Sequence, residues 1–393
     1  MRTVSSFSII VTATMLSALW LGSCCNHKNS DDEPAKVAIN MGISSKGTRA
    51  IINDKSDMLS QCLADPDNPT GFGVFGYKTI RKTEGETTTV TPNLTFDNFE
   101  VVPTSTDENA TWTYSPLRYW DSNPNASYQF AAYWPHLSTT SGSSAYVANA
   151  DQVLTIYNIP FWQDATLAAS ADFMTDKQSG NYSLGDFNDP TTGEAKVRFT
   201  FSHILAKLVI RAYYTGVEQN QVTINGMRLT PGIAPGNAIL NPDGKATYTM
   251  PYGSAQGTAG FTGNTPTCTT SHTLFSPVNG LTLPTTTYDD EVDPEEHEYQ
   301  EICTWLMVPC TGWDNLGLSI DYSIAGSSVI TTNVNGLTLS TTVNDVAQTG
   351  LTDSGKAYIV TLKFNSSGGG VDLQSVLVNK WHEENWDASV FNW

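Results

Sequence analysis

The sequence is poor in positive charge. It has 20 Lys and Arg residues against 39 Asp and Glu residues, which gives a formal net charge of −19 and a pI near 4.5. A protein that binds nucleic acid or an anionic membrane surface needs a basic face to neutralise phosphates. The composition therefore argues against nucleic acid and anionic membrane surfaces as partners.

Cysteine is also scarce, and no two cysteines have the spacing of a metal or redox motif. Beyond the pair at Cys24 and Cys25, the chain has only Cys62, Cys268, Cys303 and Cys310. None belongs to a C-x-x-C motif or a zinc-type pair, so we expect no structural zinc. Cys303 and Cys310 could pair in an oxidising compartment, but a predicted strand over residues 304–307 would hold them apart, so we expect free buried thiols.

Motifs of known catalytic sites are missing as well. The sequence contains no H-E-x-x-H pair, nucleophile elbow, P-loop or dinucleotide-binding glycine pattern. Its six histidines are scattered without metal-ligand spacing. His203 falls in a strand-like run, where a packed or edge position is expected. A catalytic pair among the many carboxylates has no motif to support it, so we expect no enzyme activity, no cofactor and no metal.

The chain has one long apolar run, and it lies at the start. Residues 9–21 are apolar and follow Arg2, as in a signal peptide, and they are too few to span a membrane as a helix. The run ends in Leu-Gly-Ser before Cys24, the pattern of a bacterial lipobox. We expect a signal peptide over residues 1–23 and acylation of Cys24. The alternative is an ordinary signal peptide cut nearby, with Cys24 uninvolved.

The residues after the lipobox form a tether, a strand and an exposed basic site in series. An acidic spacer over residues 29–34 precedes a run in which every second residue is apolar. This alternation predicts a half-buried strand with four residues on one face: Val37, Ile39, Met41 and Ile43. Arg49 follows in a Gly-Thr-Arg-Ala setting, and Ala50 comes next. We interpret residues 24–49 as a lipidated propeptide whose strand is removed by cutting after Arg49.

Residues 50–393 predict an all-β protein. Short alternating or aromatic runs are separated by Gly, Pro, Asn and Asp, with almost no helical periodicity. The predicted strands are Gly71–Tyr77, Leu94–Phe96, Phe99–Val102, Trp112–Tyr114, Tyr128–Trp134, Val197–Phe201, Leu205–Ile210, Val222–Ile224, Met227–Leu229, Leu316–Ile324, Tyr358–Phe364 and Val371–Trp381. The polar stretch 181–194 resembles a linker. We therefore expect an N-terminal domain over 50–194 and a C-terminal domain over 195–393.

Several of these motifs, taken in order, resemble the fimbrillins of Bacteroidales, the subunits of protease-assembled type V pili. The motifs are the lipobox at Cys24, the processing-site residues Thr48–Ala50, Gly71–Phe75, the aromatic strand Tyr128–Pro135, Phe201–Leu208, and Gly355–Tyr358. Together they cover nearly the whole mature chain.

The resemblance implies two transthyretin-like β-sandwich domains in tandem and assembly by donor-strand exchange. It implies an outer-membrane lipoprotein precursor that an Arg-specific surface protease cuts after Arg49, so that the first strand leaves and a neighbouring subunit's strand fills the groove. Residues 371–378, extended by the apolar tail 386–393, are the predicted donor. Other fimbrillin subunits are the expected partners, with a host or bacterial surface ligand for adhesion. Stalk and tip roles both stay open.

A second function fits the same composition. Ten tryptophans could indicate a surface lipoprotein that binds glycans by aromatic stacking, as an uncut monomer. Most of them, such as Trp112, Trp134 and Trp305, lie in or beside strand runs and are better explained as core residues. Trp386 and Trp393 are the exceptions. Cutting at Arg49 separates the two functions, because only a polymerising subunit requires it.

Overall fold

A computed structural model of the chain describes residues 39–43, 55–65, 69–84, 87–105, 110–165, 170–177, 182–183, 196–215, 220–230, 244–262, 272–284, 299–314, 316–343, 346–365 and 370–381. The first part of this set contains β1 (Asn40–Ile43), α1 (Lys55–Cys62), β2 (Phe72–Glu84), β3 (Thr87–Pro103), β4 (Trp112–Thr113), β5 (Ala126–Trp134), β6 (Tyr146–Ala150), β7 (Val153–Pro160), β8 (Trp162–Asp164), β9 (Met174–Lys177), β10 (Lys196–Phe199) and β11 (Ser202–His203).

The second part is formed of strands alone within the described residues. They are β12 (Ala206–Tyr214), β13 (Val222–Thr230), β14 (Lys245–Pro251), β15 (Gly260–Thr262), β16 (His272–Phe275), β17 (Leu281–Thr282), β18 (Gln300–Met307), β19 (Leu316–Ile324), β20 (Ile330–Leu337), β21 (Ser340–Val343), β22 (Val346–Thr349), β23 (Lys356–Phe364) and β24 (Val371–Lys380). The predicted all-β class is confirmed.

The largest sheet has the strand order β11-β9-β5-β2-β3-β4. Its centre is the antiparallel pair β2 and β5, where Gly73 lies opposite Tyr133 and Gly76 opposite Phe130. A Cβ atom on Gly73 would come within 2.2 Å of the Tyr133 ring. Gly73 of the Gly71–Phe75 motif, and Gly76 just after it, therefore make room for aromatic rings of the sheet.

The described chain contains five further sheets. One has the order β24-β23-β12-β18-β8, with β12 and β23 running parallel. A second has the order β16-β13-β19-β20, with β17 also paired to β13, and a third has the order β15-β14-β7-β6. The hairpin β21-β22 forms the fourth. A two-stranded parallel sheet joins β1 to β10.

Two clusters of buried side chains form the core. The smaller one lies on one face of β2 and β5 and includes Phe72, Val74 and Phe130, together with Val197 and Phe199 of β10. The larger one begins on the opposite face of the same strands and continues through the sheets of the C-terminal half. The largest sheet is thus covered on both faces.

Backbone pairing crosses residue 195 in four pairs of the named strands. β7 pairs with β14, β8 with β18, β1 with β10, and β9 with β11. The described residues from Lys36 onward belong to one compact unit. The division into domains at 50–194 and 195–393 stays a prediction.

Four elements differ from the strands expected from the sequence. Residues 55–62 form the helix α1, which was not predicted. β3 is one strand where two were expected, because Asn98, at a positive φ of 53°, lies inside it in a bulged stretch rather than in a turn. β13 likewise continues through the Asn225-Gly226 pair with a shift in register. The expected strand over 197–201 ends at Phe199 as β10, and a separate strand, β11, begins at Ser202 and pairs in a different sheet.

The described cysteines are all free thiols: Cys62, Cys303 and Cys310. Burial raises the pKa of Cys303 to about 12 and that of Cys310 to about 11. Since a thiol reacts as its thiolate, these groups are unreactive at neutral pH. Cys268 lies outside the described residues.

Candidate functional site

The first strand β1 lies between two parts of the chain that come much later. On one side it runs parallel to β10, with Met41 opposite Val197. Just before the strand, the backbone N–H of Ile39 donates to the carbonyl oxygen of Arg118 at 2.8 Å. Backbone hydrogen bonds therefore hold β1 to β10, and the residue before it to Arg118.

The apolar side chains of β1 and the residue before it belong to the smaller core cluster. Ile39 is 0% exposed and Met41 is 2% exposed. They pack in the cluster that contains Phe72, Phe130 and Phe199. Burying side chains of this kind contributes roughly 1.5–3 kcal/mol each. Loss of the strand would open this core to water, so β1 completes the hydrophobic core.

Tyr114 fixes the start of the strand. Its hydroxyl donates a 2.6 Å hydrogen bond to the carbonyl oxygen of Ile39. Burial of the ring raises the Tyr114 pKa to about 12, against the weaker opposite effect of a hydrogen bond with the Arg118 backbone. The hydroxyl is therefore protonated at neutral pH and available as a donor.

Arg118 also helps to fix the start of β1. Its Nε donates to the carbonyl oxygen of Thr95 at 3.2 Å, and its guanidinium lies 5.0 Å from the centre of the Phe99 ring. These contacts tie the 114–118 segment, which has no regular structure after β4, to β3. They therefore hold in place the Arg118 carbonyl group that accepts the hydrogen bond from Ile39.

Most of the other residues of the predicted site lie outside the described part of the chain. Cys24, Val37, Arg49 and Ala50 lie outside the described residues, and of Ile43 the structure describes the backbone only. Lipidation at Cys24, cutting after Arg49 and the roles of Val37 and Ile43 stay predictions. The sequence could not show β10, Tyr114 or Arg118 as partners of the strand, because no local pattern encodes a contact over such separations.

A second cluster, which we call the C-terminal clamp, holds the end of β24. It consists of His203, Lys207, Gly355, Asp172 and Trp381. The Trp381 ring stacks on the His203 ring with centroids 3.9 Å apart and planes 5° apart. The backbone N–H of Trp381 donates to the carbonyl oxygen of Gly355 at 2.8 Å. Trp381 is 2% exposed, so the last described residue of the chain is fully packed.

Two buried or half-buried charges support the clamp. Asp172, 1% exposed, lies 3.1 Å from Nδ1 of His203. Nζ of Lys207 lies 5.5 Å from the centre of the Trp381 ring, in the range of a cation–π contact. Burial lowers the Lys207 pKa, and the charges of Asp172 and Glu301 oppose that shift.

The clamp unites two sequence motifs, Phe201–Leu208 and Gly355–Tyr358. The N–H of Gly355 donates to the carbonyl oxygen of Leu205 at 2.9 Å, and Ser354 Oγ donates to that of Ile204 at 2.9 Å. Gly355 has a φ of 65°, where a side chain would be strained. The two motifs therefore contact each other in the C-terminal clamp and together hold Trp381.

The metal-ligating side chains of the described part of the chain form no metal site. No group of three or more His, Cys, Asp or Glu side chains there could hold a metal ion. His272 packs between Trp162 and Trp305 at ring-centroid distances of 5.3 and 5.2 Å. His27, His297 and His382 lie outside the described residues. Within that same part, no helix has the length and apolar character needed to cross a membrane.

Fold and site together define an all-β protein in which the first described strand completes the core and the last described strand ends in a buried clamp. The model of the fimbrillin-like family matches residues 48–381. The chain belongs to the fimbrillin-like family.

Several solved structures are similar to this chain. A fimbrial protein from Bacteroides vulgatus has a TM-score of 0.52 at 16% identity, over 88% of this chain and 99% of that one. A putative cell adhesion protein from Bacteroides uniformis has a TM-score of 0.42 at 16% identity, over 90% and 100%. The tip fimbrial protein Mfa3 from Porphyromonas gingivalis has a TM-score of 0.31 at 10% identity, over 79% and 95%. No curated protein sequence matches the chain.

Family membership supports a subunit of a cell-surface fimbrium that assembles with other fimbrillin subunits. It also supports a structural adhesion protein rather than an enzyme.

Proposed function

We propose that this protein is a structural pilus subunit, a stalk or tip fimbrillin, that serves adhesion and polymerises by donor-strand exchange. In this proposal the precursor reaches the outer membrane as a lipoprotein anchored through Cys24. An Arg-specific surface protease cuts after Arg49, the strand that contains Ile39 and Met41 leaves, and a strand from the next subunit replaces it. The mature chain begins at Ala50.

The observation that carries the proposal is the position of β1. A strand at the very start of the fold supplies buried side chains to a core that is otherwise formed by later strands. After a cut at Arg49, only non-covalent contacts would hold it. A donor strand that repeats the backbone hydrogen bonds and fills the pockets of Ile39 and Met41 could take its place, as in β-strand addition.

The pairing of β24 supports a donor further along the chain. Residues 371–378 were predicted to supply it, but β24 pairs along its whole length with β23, from Val371 opposite Phe364 to Lys380 opposite Lys356. Releasing β24 would leave one edge of β23 unpaired, with β12 on the other edge. We therefore propose that the donor is the segment after Trp381, residues 382–393, which lies outside the described residues and contains Trp386, Phe391 and Trp393.

N-terminal sequencing of the surface-associated protein tests the processing step. Wild-type surface material is expected to begin at Ala50, and Arg49→Ala is expected to accumulate as an unpolymerised precursor. Lys46→Ala is the matched control, since it removes a nearby positive charge and leaves the Arg49 bond intact. Surface polymers that retain residues 37–43 would overturn the proposal in favour of the uncut, monomeric glycan-binding lipoprotein.

Lipid labelling tests the anchor. We expect Cys24→Ala to abolish labelling with a radioactive fatty acid and to leave the protein in the soluble periplasmic fraction. The neighbouring substitution Cys25→Ala should change neither result. Normal labelling of Cys24→Ala would place the acyl chain elsewhere.

A further inference from the structure

A cavity of about 580 Å³ lies on the face of the largest sheet at the far end of β2. Thr79 and Arg81 are two residues apart on β2 and share this face, and the pairing places Ser127 and Pro92 beside Thr79. Sites for small molecules have volumes of roughly 300–1,000 Å³. The cavity is thus large enough for one or two sugar rings.

The floor of the cavity is polar and fixed. Thr79 and Gln129 are each 8% exposed and both line it. The hydroxyls of Thr79 and Ser127 lie 2.7 Å apart, and Gln152 Nε2 donates to Gln129 Oε1 at 2.6 Å. The Gln152 side chain in turn accepts a hydrogen bond from the N–H of Ser254 at 3.0 Å, which secures the turn at the cavity wall. Such preorganised hydroxyl and amide groups suit a ligand rich in hydroxyls.

The charge of the cavity is opposite to that of the protein. Arg81 lines it, and none of its described lining residues carries a carboxylate, although the chain has a net charge of −19. Among the described residues, the Arg81 side chain makes no ion pair. A guanidinium in this setting favours a carboxylate ligand, which it can bind through two hydrogen bonds.

The remaining walls are apolar. Pro92 and Pro124 line the cavity together with Val90, which is 49% exposed. The C–H face of a pyranose ring could pack there. A polyphosphate is disfavoured, since its several negative charges would meet a single cation on a strongly acidic protein.

From these features we infer that the cavity binds an acidic sugar, with the ligand carboxylate on Arg81 and its hydroxyls on the floor that Thr79 and Gln129 form. The site is independent of cutting at Arg49 and of polymerisation. It would give the subunit a ligand specificity of its own.

Saturation-transfer NMR on the purified protein tests the inference, with sodium D-glucuronate and N-acetylneuraminate as probes and D-glucose as the neutral counterpart. At least one acidic sugar is expected to bind saturably in the millimolar range, with D-glucose at least about tenfold weaker. Arg81→Gln should weaken acidic-sugar binding by about tenfold, the equivalent of about 1.4 kcal/mol, and leave the D-glucose signal unchanged.

Lys82→Gln is the matched control, because it removes the same charge from the next residue of β2, whose side chain points to the opposite face. It should bind as the wild type does. Thr79→Val keeps the volume of the side chain and should also weaken binding, and circular dichroism verifies the fold of each variant. Binding of neither acidic sugar, or equal binding by Arg81→Gln and wild type, would overturn the inference, while Ala50 as the mature N-terminus would stand.

Discussion

Trp381 and His203 form a parallel stack with 3.9 Å between ring centroids, although 178 positions separate them in the chain. His203 follows β10 closely, and β10 is the strand that pairs with β1. Trp381 immediately precedes the segment that we propose as the donor. The C-terminal clamp therefore anchors the chain where the proposed donor leaves the fold, and a pulling force on the donor would reach Trp381 first.

Removing this stack should destabilise the protein. We expect Trp381→Ala to lower the free energy of unfolding by about 3–5 kcal/mol, because it leaves a cavity beside His203. Trp381→Phe should lower it less, since an aromatic ring still covers the histidine. Urea unfolding followed by fluorescence measures the difference. Tyr119→Ala is the control, because Tyr119 is 46% exposed and its loss should change stability by no more than about 0.5 kcal/mol. Equal effects of the two alanine substitutions would contradict the prediction that the C-terminal clamp stabilises the protein.

The contribution of Ile39 should depend on whether the chain has been cut. In the uncut Arg49→Ala precursor, Ile39→Ala should lower the free energy of unfolding by about 2–5 kcal/mol, since the side chain is fully buried. After cutting and release of the first strand, residue 39 is no longer part of the molecule. The same substitution should then have no effect on the free energy of unfolding. Chemical denaturation of both forms makes the comparison. A precursor that tolerates Ile39→Ala without loss would show that β1 does not complete the core.

Tyr114 should make the stability of the protein, through its hydrogen bond to Ile39, sensitive to alkaline pH. Its pKa is raised from 10 to about 12 by burial, so the folded state holds a proton that the unfolded state releases first. The stability from this group is fully present below pH 10 and is lost as the pH rises towards 12. Tyr114→Phe should show a shallower loss of stability over that interval, and a lower stability at neutral pH by about 0.5–1.5 kcal/mol, since its hydrogen bond to Ile39 is gone. Unfolding curves at a series of pH values measure both effects. Identical pH profiles for the wild type and Tyr114→Phe would show that Tyr114 does not stabilise the position of β1.

Local patterns predicted much of the fold. Alternation located β19 and β23, and the aromatic run located β5, because side chains that alternate between core and outer face leave a period of two. The helix α1 was missed because it is only eight residues long and has no regular apolar face. Turn-forming residues at Asn98 and Asn225 suggested strand ends, but in the fold they lie in bulged strands that continue.

The long-range contacts of the site could not be predicted. Alternation indicates that Ile39 and Met41 share a buried face, and the Phe201–Leu208 motif contains His203. Neither pattern shows that β1 pairs in parallel with β10, or that His203 receives Trp381. Such pairings are decided by the complementarity of distant surfaces, which a single sequence does not display.

Deleting Ala388–Trp393 tests the proposed donor. The shortened subunit should fold, because the clamp at Trp381 and the pairing of β24 with β23 lie before the deletion. It should also be cut after Arg49, since its first strand is unchanged. It should fail to form the ladder of polymers that the wild type shows on unboiled gels, because its strand is too short and lacks Phe391 and Trp393 for the pockets of the next subunit. As a control, a chain that keeps its length but carries alanine at both aromatic positions separates lost length from lost side chains. Undiminished ladders from the deletion would place the donor elsewhere in the chain.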